Sequence, residues 1–325
     1  MPDSVEFDFT VGQATHTGLI RKKNEDAFGW FSLSDGELFI VADGMGGYAG
    51  GAEASQQAIA SFKTYFSSHD ALPEYLLQEA LLYADAKVLE ISQHDDTLQN
   101  CGSTIVVLFV SGNRGYCIHA GDSRLYMFNK GKLHQIGRDH SAVQDMLLAG
   151  IITKEEAEKS PKNIITQSLG GNIDLKRCTV EQFSIIPGSA FLLCSDGLWS
   201  TVHEEKLCAI LSKKIPTSSK VNMMINEAIE DGGPDNITAQ VIEFKNSECQ
   251  TKMFHKKRNY TILHCTILFI FIVIFFSVGY YIYKSILTTN SQIHENIDIC
   301  KQKEQLSNKG SSDEEKLQKK TININ

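Results

Sequence analysis

Acidic residues directly follow or adjoin apolar stretches at several points of this sequence, and this placement constrains the fold more than any other feature. Four aspartates lie beside glycine or asparagine in VADG, HAGDSR, LLCSDG and GGPDNIT: Asp43, Asp122, Asp196 and Asp235. An acidic pair, Glu25–Asp26, lies earlier in RKKNED. A single aspartate of this kind is typically a turn or helix cap, but a bare carboxylate drawn into a sheet interior is costly. The repetition therefore favours a cluster of carboxylates that binds cations.

The chemistry of these side chains indicates which cations. Oxygen ligands select hard ions, so we expect Mg²⁺ or Mn²⁺ and not zinc. The acids outnumber what one ion requires, so we expect two ions. Two neighbouring ions can activate a shared water and clamp a phosphoryl group for in-line displacement. The acidic pattern therefore indicates phosphoryl transfer.

The glycine-rich stretch VADGMGGYAGG allows a competing interpretation. Gly44, Gly46 and Ala49 have the G-x-G-x-x-G/A spacing of a dinucleotide-binding turn. Asp43 precedes the first glycine and would repel a bare pyrophosphate, so we expect a loop that binds cations and no nucleotide cofactor. The glycines give the backbone the freedom to turn sharply after Asp43.

Motifs of other hydrolases and phosphate-binding proteins are absent. The sequence contains no G-x-S-x-G elbow and no G-x-x-x-x-G-K-[ST] loop. Six residues separate Cys117 from Arg124, which does not fit a C-x5-R thiolate phosphatase loop, so we expect Cys117 to pack in its strand. Four scattered histidines show no ligand spacing and are interpreted as structural: His16, His119, His134 and His140.

Residues 5–245 show the pattern of one domain of the α+β class. Six runs rich in β-branched and aromatic residues predict strands: LFIVAD, STIVVLFV, GYCIHAG, RLYMF, AFLLCSD and ITAQVIEF. Apolar periodicity predicts helices in AEASQQAIASFKTYF, about Pro73 to Gln93, Glu204–Leu211 and Lys220–Glu230. Strands in hairpin-like succession with grouped helices indicate antiparallel sheets with helices outside. The polar segment Ser141–Gln167 predicts a mobile flap with a short helix.

The net charge and the cysteine content indicate which partners and which redox compartment to expect. The net charge is −8 and the domain has no long basic run, so nucleic acid is not an expected partner. The eight cysteines form no C-x-x-C pair, which favours reduced core residues in a reducing compartment.

An uncharged segment after the domain predicts a membrane anchor. NYTILHCTILFIFIVIFFSVGYYIY contains no Asp, Glu, Lys or Arg, and about 20 apolar residues cross a bilayer as a helix. We therefore predict a transmembrane helix over 260–283. Basic residues are concentrated in the linker 246–259, which predicts that residues 5–245 lie in the cytoplasm at the inner membrane. The polar tail 284–325 is then on the opposite side and is predicted to be disordered.

Seven short motifs occur in the order found in one enzyme family: RKKNED, VADGMGG, CGST, HAGDSRLY, RDHS, CSDGLW and GGPDNIT. Over about Val5 to Phe244 the chain resembles PP2C-type (PPM) serine/threonine protein phosphatases of the bacterial type. The resemblance implies an α-β-β-α sandwich of two antiparallel sheets with helices outside and a metal site at one edge. It also implies dependence on Mn²⁺ or Mg²⁺, with phosphoserine and phosphothreonine in proteins as substrates.

The resemblance also assigns roles to the acids at matching positions. Asp43 is expected to bridge two ions, and Asp196 and Asp235 to complete the protein ligands of the first ion. The carbonyl of Gly44 is expected to bind the second ion, whose waters Glu25 holds.

Further positions match residues that act around these ligands. Arg21 resembles the phosphate-binding cation, while Asp26 and Asn236 resemble groups that orient ligands and waters. Asp122 resembles a ligand of a third ion, working with Asp196. The segment Ser141–Gln167 resembles the flap that shapes the substrate groove.

The charges and the resemblance together imply a mechanism. Two cations lower the pKa of a shared water, and the resulting hydroxide attacks phosphorus directly without a phosphoenzyme. Arg21 offsets charge on the phosphoryl oxygens.

Two positions depart from common family patterns. Met45 stands where animal members commonly have a histidine that is a candidate general acid, so the leaving serine oxygen must take its proton from elsewhere. Ser200 stands where many members have an aspartate. A neutral ligand weakens a cation site, so we expect any third ion to bind weakly.

The sequence gives less support to two other function classes. A phosphatase-like binding module without turnover at the membrane is disfavoured, because such a module has no need of Asp43, Asp196 and Asp235. A dinucleotide-dependent oxidoreductase rests on glycine spacing alone. The phosphatase hypothesis predicts phosphorylated proteins and a cognate bacterial serine/threonine kinase as partners.

Overall fold

The computed structural model describes residues 8–46, 50–94, 98–160, 164–171 and 173–245, together with seven residues between 274 and 284. The chain divides into two units, Met1–Gln250 and Thr251–Asn325. All strands and numbered helices given below belong to the first unit. In the second unit the described residues are helical and exposed.

Eleven strands and seven helices make up the described part of the first unit. The strands in chain order are β1 (Phe9–His16), β2 (Asp26–Leu33), β3 (Gly36–Met45), β4 (Gly102–Ser103), β5 (Ile105–Ser111), β6 (Arg114–Ala120), β7 (Arg124–Asn129), β8 (Lys132–Ile136), β9 (Glu181–Ser184), β10 (Ala190–Cys194) and β11 (Ile237–Phe244). The helices are α1 (Gly50–Ser68), α2 (Pro73–His94), α3 (Ala142–Leu148), α4 (Lys154–Lys159), α5 (Asp196–Trp199), α6 (Glu204–Leu211) and α7 (Thr217–Glu230).

The strands form two antiparallel sheets. The first sheet has the order β1-β11-β10-β7-β8, and the second has the order β2-β3-β5-β6-β9 with the short β4 beside β3. The chain crosses between the sheets repeatedly. The predicted acids lie in or next to inner strands: β3 of the second sheet, and β10 and β11 of the first.

Alternation along β3 shows how the layers form. Leu38, Ile40 and Ala42 pack with residues of α1 and α2, whereas Phe39 and Val41 pack with residues of the other sheet, among them Phe191. Successive side chains of a strand point to opposite faces, so each inner strand serves two apolar layers. The helices α6 and α7 cover the outer face of the first sheet. The result is four layers in the order helix, sheet, sheet, helix.

These observations confirm the predicted sandwich and correct it in detail. All six apolar runs contain strands, and the long helical patterns correspond to α1, α2, α6 and α7. The segment Ser141–Gln167 contains two short helices, α3 and α4, where the sequence predicted a short helix. Both are capped by a preceding hydroxyl: the side chain of Ser141 accepts from the N–H of Gln144, and that of Thr153 accepts from the N–H of Glu156.

The cysteines in the described residues are all free. Cys101, Cys117, Cys178 and Cys194 are buried, and Cys208 is half-buried. Burial in the apolar interior raises the pKa of the Cys117 thiol, so this side chain is a packing residue. The prediction of reduced core cysteines is confirmed for the four buried ones.

The predicted membrane span and its flanks lie for the most part outside the described residues. Among the residues that are described, no helix is both long enough and apolar enough to cross a bilayer.

The layer between the sheets provides a test of the packing. Phe191 is fully buried, with its ring centroid 5.5 Å from that of Phe183 and 5.8 Å from that of Phe244. We expect Phe191→Ala to lower the free energy of unfolding by about 3–5 kcal/mol, because the cavity cannot close between two sheets. Urea unfolding followed by tryptophan fluorescence measures the change. Phe191→Leu is the matched control and should cost less; equal losses for both variants would contradict this packing role.

Candidate metal centre

The predicted acids meet at one edge of the sandwich, where strands of both sheets end. Asp43 lies near the end of β3, Asp196 begins α5 two residues after the end of β10, and Asp235 lies two residues before the start of β11. Since β10 and β11 are antiparallel neighbours, the end of one and the start of the other coincide in space. Asp26, at the start of β2, is directly opposite Asp43 in the register of β2 and β3.

The carboxylates of this edge repel one another electrostatically. Burial raises the pKa of Asp43 well above its usual range, and the charges of Asp26, Asp196 and Asp122 raise it further. Burial also raises the pKa of Asp196, with a contribution from Asp235. Asp26, Asp43, Asp122, Asp196 and Asp235 are thus close enough to affect one another electrostatically, and their role as metal ligands stays a prediction.

Two of the acids are enclosed by the protein. Asp26 and Asp122 are both buried, and burial raises the pKa of each to about 7. The hydroxyl of Ser195 donates to Oδ2 of Asp26 at 2.7 Å, which lowers that pKa in part. The same hydroxyl accepts from the N–H of Thr238 at 3.0 Å. Ser195 was not predicted, although it directly precedes Asp196 in the CSDGLW motif.

Three carboxylate oxygens of this site are buried without a hydrogen-bond partner among the described residues: Oδ1 of Asp26, of Asp122 and of Asp196. Buried polar atoms normally have hydrogen-bond partners, and a bound cation would stabilise a buried carboxylate oxygen that has none. An all-oxygen donor set of this kind fits Mg²⁺ or Mn²⁺. In the described part of the chain no three acidic, histidine or cysteine side chains already converge on one point, so we expect small side-chain movements when ions bind.

Asn236 connects the loop 17–25 to this edge. Its amide nitrogen donates to the carbonyls of Thr17 at 2.8 Å and Lys23 at 2.9 Å. Its amide oxygen accepts from the backbone N–H of Glu25 at 2.8 Å. These bonds hold the loop that carries Arg21 and Glu25 beside the acids. The predicted orienting role of Asn236 thus has a geometric basis, exerted through the backbone of the loop.

Close approach of three backbone segments explains the glycines near Asp43. A Cβ on Gly44 would lie 1.9 Å from the carbonyl oxygen of Gly51, so no other residue fits there without displacing α1. The N–H of Gly44 donates to the carbonyl of Glu25 at 3.1 Å, which also accepts from the hydroxyl of Ser55 at 2.6 Å. Residues 47–49 of the glycine-rich stretch lie outside the described residues.

Arg21 is positioned as a cation at the rim of the acid cluster. Its guanidinium donates to Oδ2 of Asp235 at 2.8 Å, and about half of the arginine side chain, 53%, remains exposed. The bond to Asp235 raises the pKa of Arg21, and the charges of Asp43 and Asp196 add to the effect. Glu25 lies on the same loop, and its pKa is raised by burial.

Asp122 is held in place through its backbone. The indole N–H of Trp199 donates to the carbonyl of Asp122 at 2.9 Å, and the guanidinium of Arg124 lies 3.4 Å from the centre of the Trp199 ring. Arg124 in turn forms a bidentate pair with Asp139, donating to Oδ1 at 2.9 Å and to Oδ2 at 2.7 Å. Sequence reasoning missed these supports, although they occur in the HAGDSRLY, RDHS and CSDGLW motifs. Ser200, at the end of α5, is exposed.

The four histidines have no common centre. His119 and His140 are buried and stacked, with ring centroids 4.5 Å apart, and each bonds a backbone carbonyl, of Arg138 and Arg177. Their placement fits the structural role predicted for them.

Comparison with known proteins agrees with this geometry. The family model for protein phosphatase 2C matches residues 20–231. The chain belongs to the protein phosphatase 2C family. The serine/threonine phosphatase stp of Listeria monocytogenes is 34% identical to it over 241 residues, which are 70% of this chain and 93% of stp.

Solved structures of protein phosphatase 2C relatives share the fold. The catalytic domain of the phosphatase PstP, in complex with two manganese ions, is 30% identical with a TM-score of 0.64 and covers 73% of this chain and 99% of that one. The phosphatase Stp1 of Staphylococcus aureus is 28% identical with a TM-score of 0.68, covering 76% of this chain and 99% of its own. The resemblance inferred from seven motifs is therefore confirmed at the level of family and fold.

The buried acids of this protein phosphatase 2C domain predict a pH dependence of stability. Since the pKa of Asp122 is about 7 when folded and 3.8 ordinarily, the metal-free folded state binds more protons than the unfolded state between these values. The contribution of Asp122 to the free energy of unfolding therefore falls as pH rises from about 4 to about 7. Urea unfolding in chelator at a series of pH values measures it.

Other acids titrate in the same pH interval. The informative quantity is therefore the difference in the free energy of unfolding between wild type and Asp122→Asn. We expect the variant to gain stability relative to wild type as pH rises. Mn²⁺ at pH 7 should stabilise the wild type more than the variant, because the cation favours the ionised carboxylate. A constant difference across the pH range would contradict the assignment.

Proposed function

We propose that this chain is a metal-dependent phosphatase of phosphoserine and phosphothreonine in proteins. The observation that carries the proposal is the cluster of five aspartates at one edge of the sandwich, with three buried carboxylate oxygens that have no partner among the described residues. Membership of the protein phosphatase 2C family, and a relative solved with two manganese ions, support it.

We assign the ion-holding residues from the arrangement of the edge. Asp43, Asp196 and Asp235 come from strand ends of both sheets, so they would hold ions at the edge of the sandwich to which both sheets contribute. The carbonyl of Gly44 and the carboxylate of Glu25 extend the site toward the loop 17–25, and Asp122 extends it toward β7. Divalent ions bound here supply activated water and neutralise phosphoryl charge.

Arg21 is the residue we assign to phosphate recognition. It is the half-exposed cation at the rim, and Asp235 holds its guanidinium at 2.8 Å. A phosphoryl group placed beside it receives charge-assisted N–H donors. Because Asn236 fixes the backbone of the same loop, the arginine approaches the substrate from a defined direction.

The proton for the leaving oxygen does not come from position 45. Met45 lies at the end of β3 and has no proton to give at any ordinary pH. We therefore assign protonation of the leaving serine or threonine oxygen to water or to another side chain, as the sequence already required.

The expected activity is Mn²⁺-dependent hydrolysis of p-nitrophenyl phosphate and of phosphothreonine peptides. Asp43→Asn and Asp196→Asn should each lower kcat/KM by more than about a hundredfold, which exceeds the loss typical of residues that only orient a ligand. Asp35→Asn, an exposed aspartate in the turn before β3, is the matched control and should keep wild-type activity. Steady-state kinetics with and without chelator measures these effects.

Two results would argue against the proposal. Full activity of the Asp43→Asn variant, once thermal unfolding has shown that it is folded, would contradict the metal-dependent mechanism. Mn²⁺ binding by the wild type without any turnover would instead indicate a phosphatase-like regulatory module.

We further propose that residues 260–283 anchor the chain in the inner membrane, with the linker 246–259 and the domain on the cytoplasmic side and the tail 284–325 opposite. Hydropathy and the basic linker support this arrangement. The described residues in that region are helical, and the apolar ones, Ile274, Val278, Tyr280 and Ile282, are exposed. A cytoplasmic domain would act on phosphoproteins there and oppose a bacterial serine/threonine kinase.

Protease treatment of intact spheroplasts tests the topology. We expect an external protease to shorten the chain by about the tail and to leave the domain intact, because the membrane shields it. Detection with antibodies against the domain and against a C-terminal tag distinguishes the two ends. Digestion of the domain under the same treatment would indicate the opposite orientation. Release of the chain from the membrane by alkaline carbonate would contradict an anchor.

A further inference from the structure

A polar pocket separate from the metal centre lies at the end of the sandwich where β11 ends. It has a volume of about 380 Å³ and is lined by residues of β10, β11 and the loop between α6 and α7. Four of its lining residues are lysines, which we call the lysine pocket: Lys213, Lys214, Lys220 and Lys245. Among the described residues that line it, Glu243 is the only acidic one. The site differs from the metal centre in both position and sign of charge.

The single acid of the lysine pocket is already neutralised. Lys220 is buried, and its ammonium pairs with Glu243 and donates to the carbonyl of Leu211 at 2.7 Å. The pair ties β11 to the end of α6. Lys220 therefore acts as a structural support below the pocket, and the remaining lysines set its charge.

The rim of the pocket is cationic. Lys213 and Lys214 are exposed in the loop after α6, and neither forms an ion pair with another described residue. Lys245 pairs with Asp8 at 2.7 Å and remains 36% exposed. In a chain with a net charge of −8, this concentration of lysine is a local reversal of sign.

One buried polar atom of the lining has no partner. Ser189 lines the lysine pocket and is almost completely buried, and its Oγ forms no hydrogen bond with any described residue. A hydroxyl can donate to an anionic oxygen. Phe128 and Ile215 add apolar surface to the same lining. The cationic rim, the hydroxyl of Ser189 and the apolar wall together suit an organic ligand that carries an anionic group.

The position of the pocket in the chain indicates the source of that group. Lys245 is the last described residue of the domain, and the basic linker with Lys252, Lys256, Lys257 and Arg258 follows it. Even fully extended, residues 246–259 reach no more than about 50 Å. An anchor in residues 260–283 would thus confine the domain to within that distance of the bilayer, and anionic lipids attract lysines that come within about 8 Å at physiological salt.

We propose that the lysine pocket binds the phosphate of an anionic phospholipid headgroup and docks the catalytic domain on the cytoplasmic leaflet. This inference rests on the membrane anchor proposed above. Docking would hold the metal centre at a defined distance from the bilayer and favour phosphoproteins that are themselves bound to the membrane.

The test uses the full chain reconstituted in vesicles of phosphatidylcholine, with and without phosphatidylglycerol. Hydrogen exchange of peptides covering 211–215 and 243–245 reports on the pocket. We expect slower exchange only with phosphatidylglycerol and loss of that protection in the double variant Lys213→Gln/Lys214→Gln. The double variant should keep wild-type hydrolysis of p-nitrophenyl phosphate. Lys154→Gln/Lys159→Gln, which removes two exposed lysines of α4, is the matched control and should keep the protection.

Separate readouts distinguish failure of the anchor from failure of the lipid site. Flotation with phosphatidylcholine vesicles reports on the anchor alone. A chain that floats with both kinds of vesicle but shows no phosphatidylglycerol-dependent protection overturns the lipid site. Protection of the same peptides by inorganic phosphate in detergent micelles, at equal or greater strength, also overturns it in favour of a small-anion site. A chain that fails to float yet shows the protection contradicts the anchor and supports the lipid site.

Discussion

The like charges of Asp26 and Asp43 are the constraint on which the rest of this structure depends. The two aspartates are direct partners in the antiparallel register of β2 and β3, and like charges directly opposite one another destabilise a sheet. Their pKa values are raised by burial. The arrangement is stable when cations neutralise the acids, so the same carboxylates that strain the apoprotein are suited to hold metal ions.

The surrounding fold supplies what these charges need. Ser195 donates to Asp26, while Asp43 has its backbone held on both sides: its N–H donates to the hydroxyl of Thr104, and its carbonyl accepts from the N–H of Thr104. The two sheets are joined through Ser195, which comes from the end of β10 and reaches the start of β2. Movement of one sheet against the other would therefore disturb the site, and the thick apolar layer between them prevents it.

Much of this could be predicted because buried inner strands are nearly continuous apolar runs. LFIVAD and AFLLC lead directly to Asp43 and Asp196, so strand and acid are recognised together. The strands β1, β2, β8 and β9 were not predicted. They lie at sheet edges and are only partly buried, so their composition is mixed. The residues that hold Asp122 in place were not predicted for another reason. Trp199, Arg124 and Asp139 are separated in the sequence, and no periodic pattern connects them.

The sequence by itself determined which residues are candidates for the chemistry, the family, the two-sheet class and the need for hard cations, because these follow from residue type, order and hydrophobic pattern. Only the tertiary structure decided which acids face one another, which carboxylate oxygens lack partners among the described residues, and how Asn236 fixes the loop that presents Arg21. It alone also brought Lys213 and Lys214 beside Lys245 in one pocket. Such contacts join residues distant along the chain, and their geometry depends on how both sheets pack.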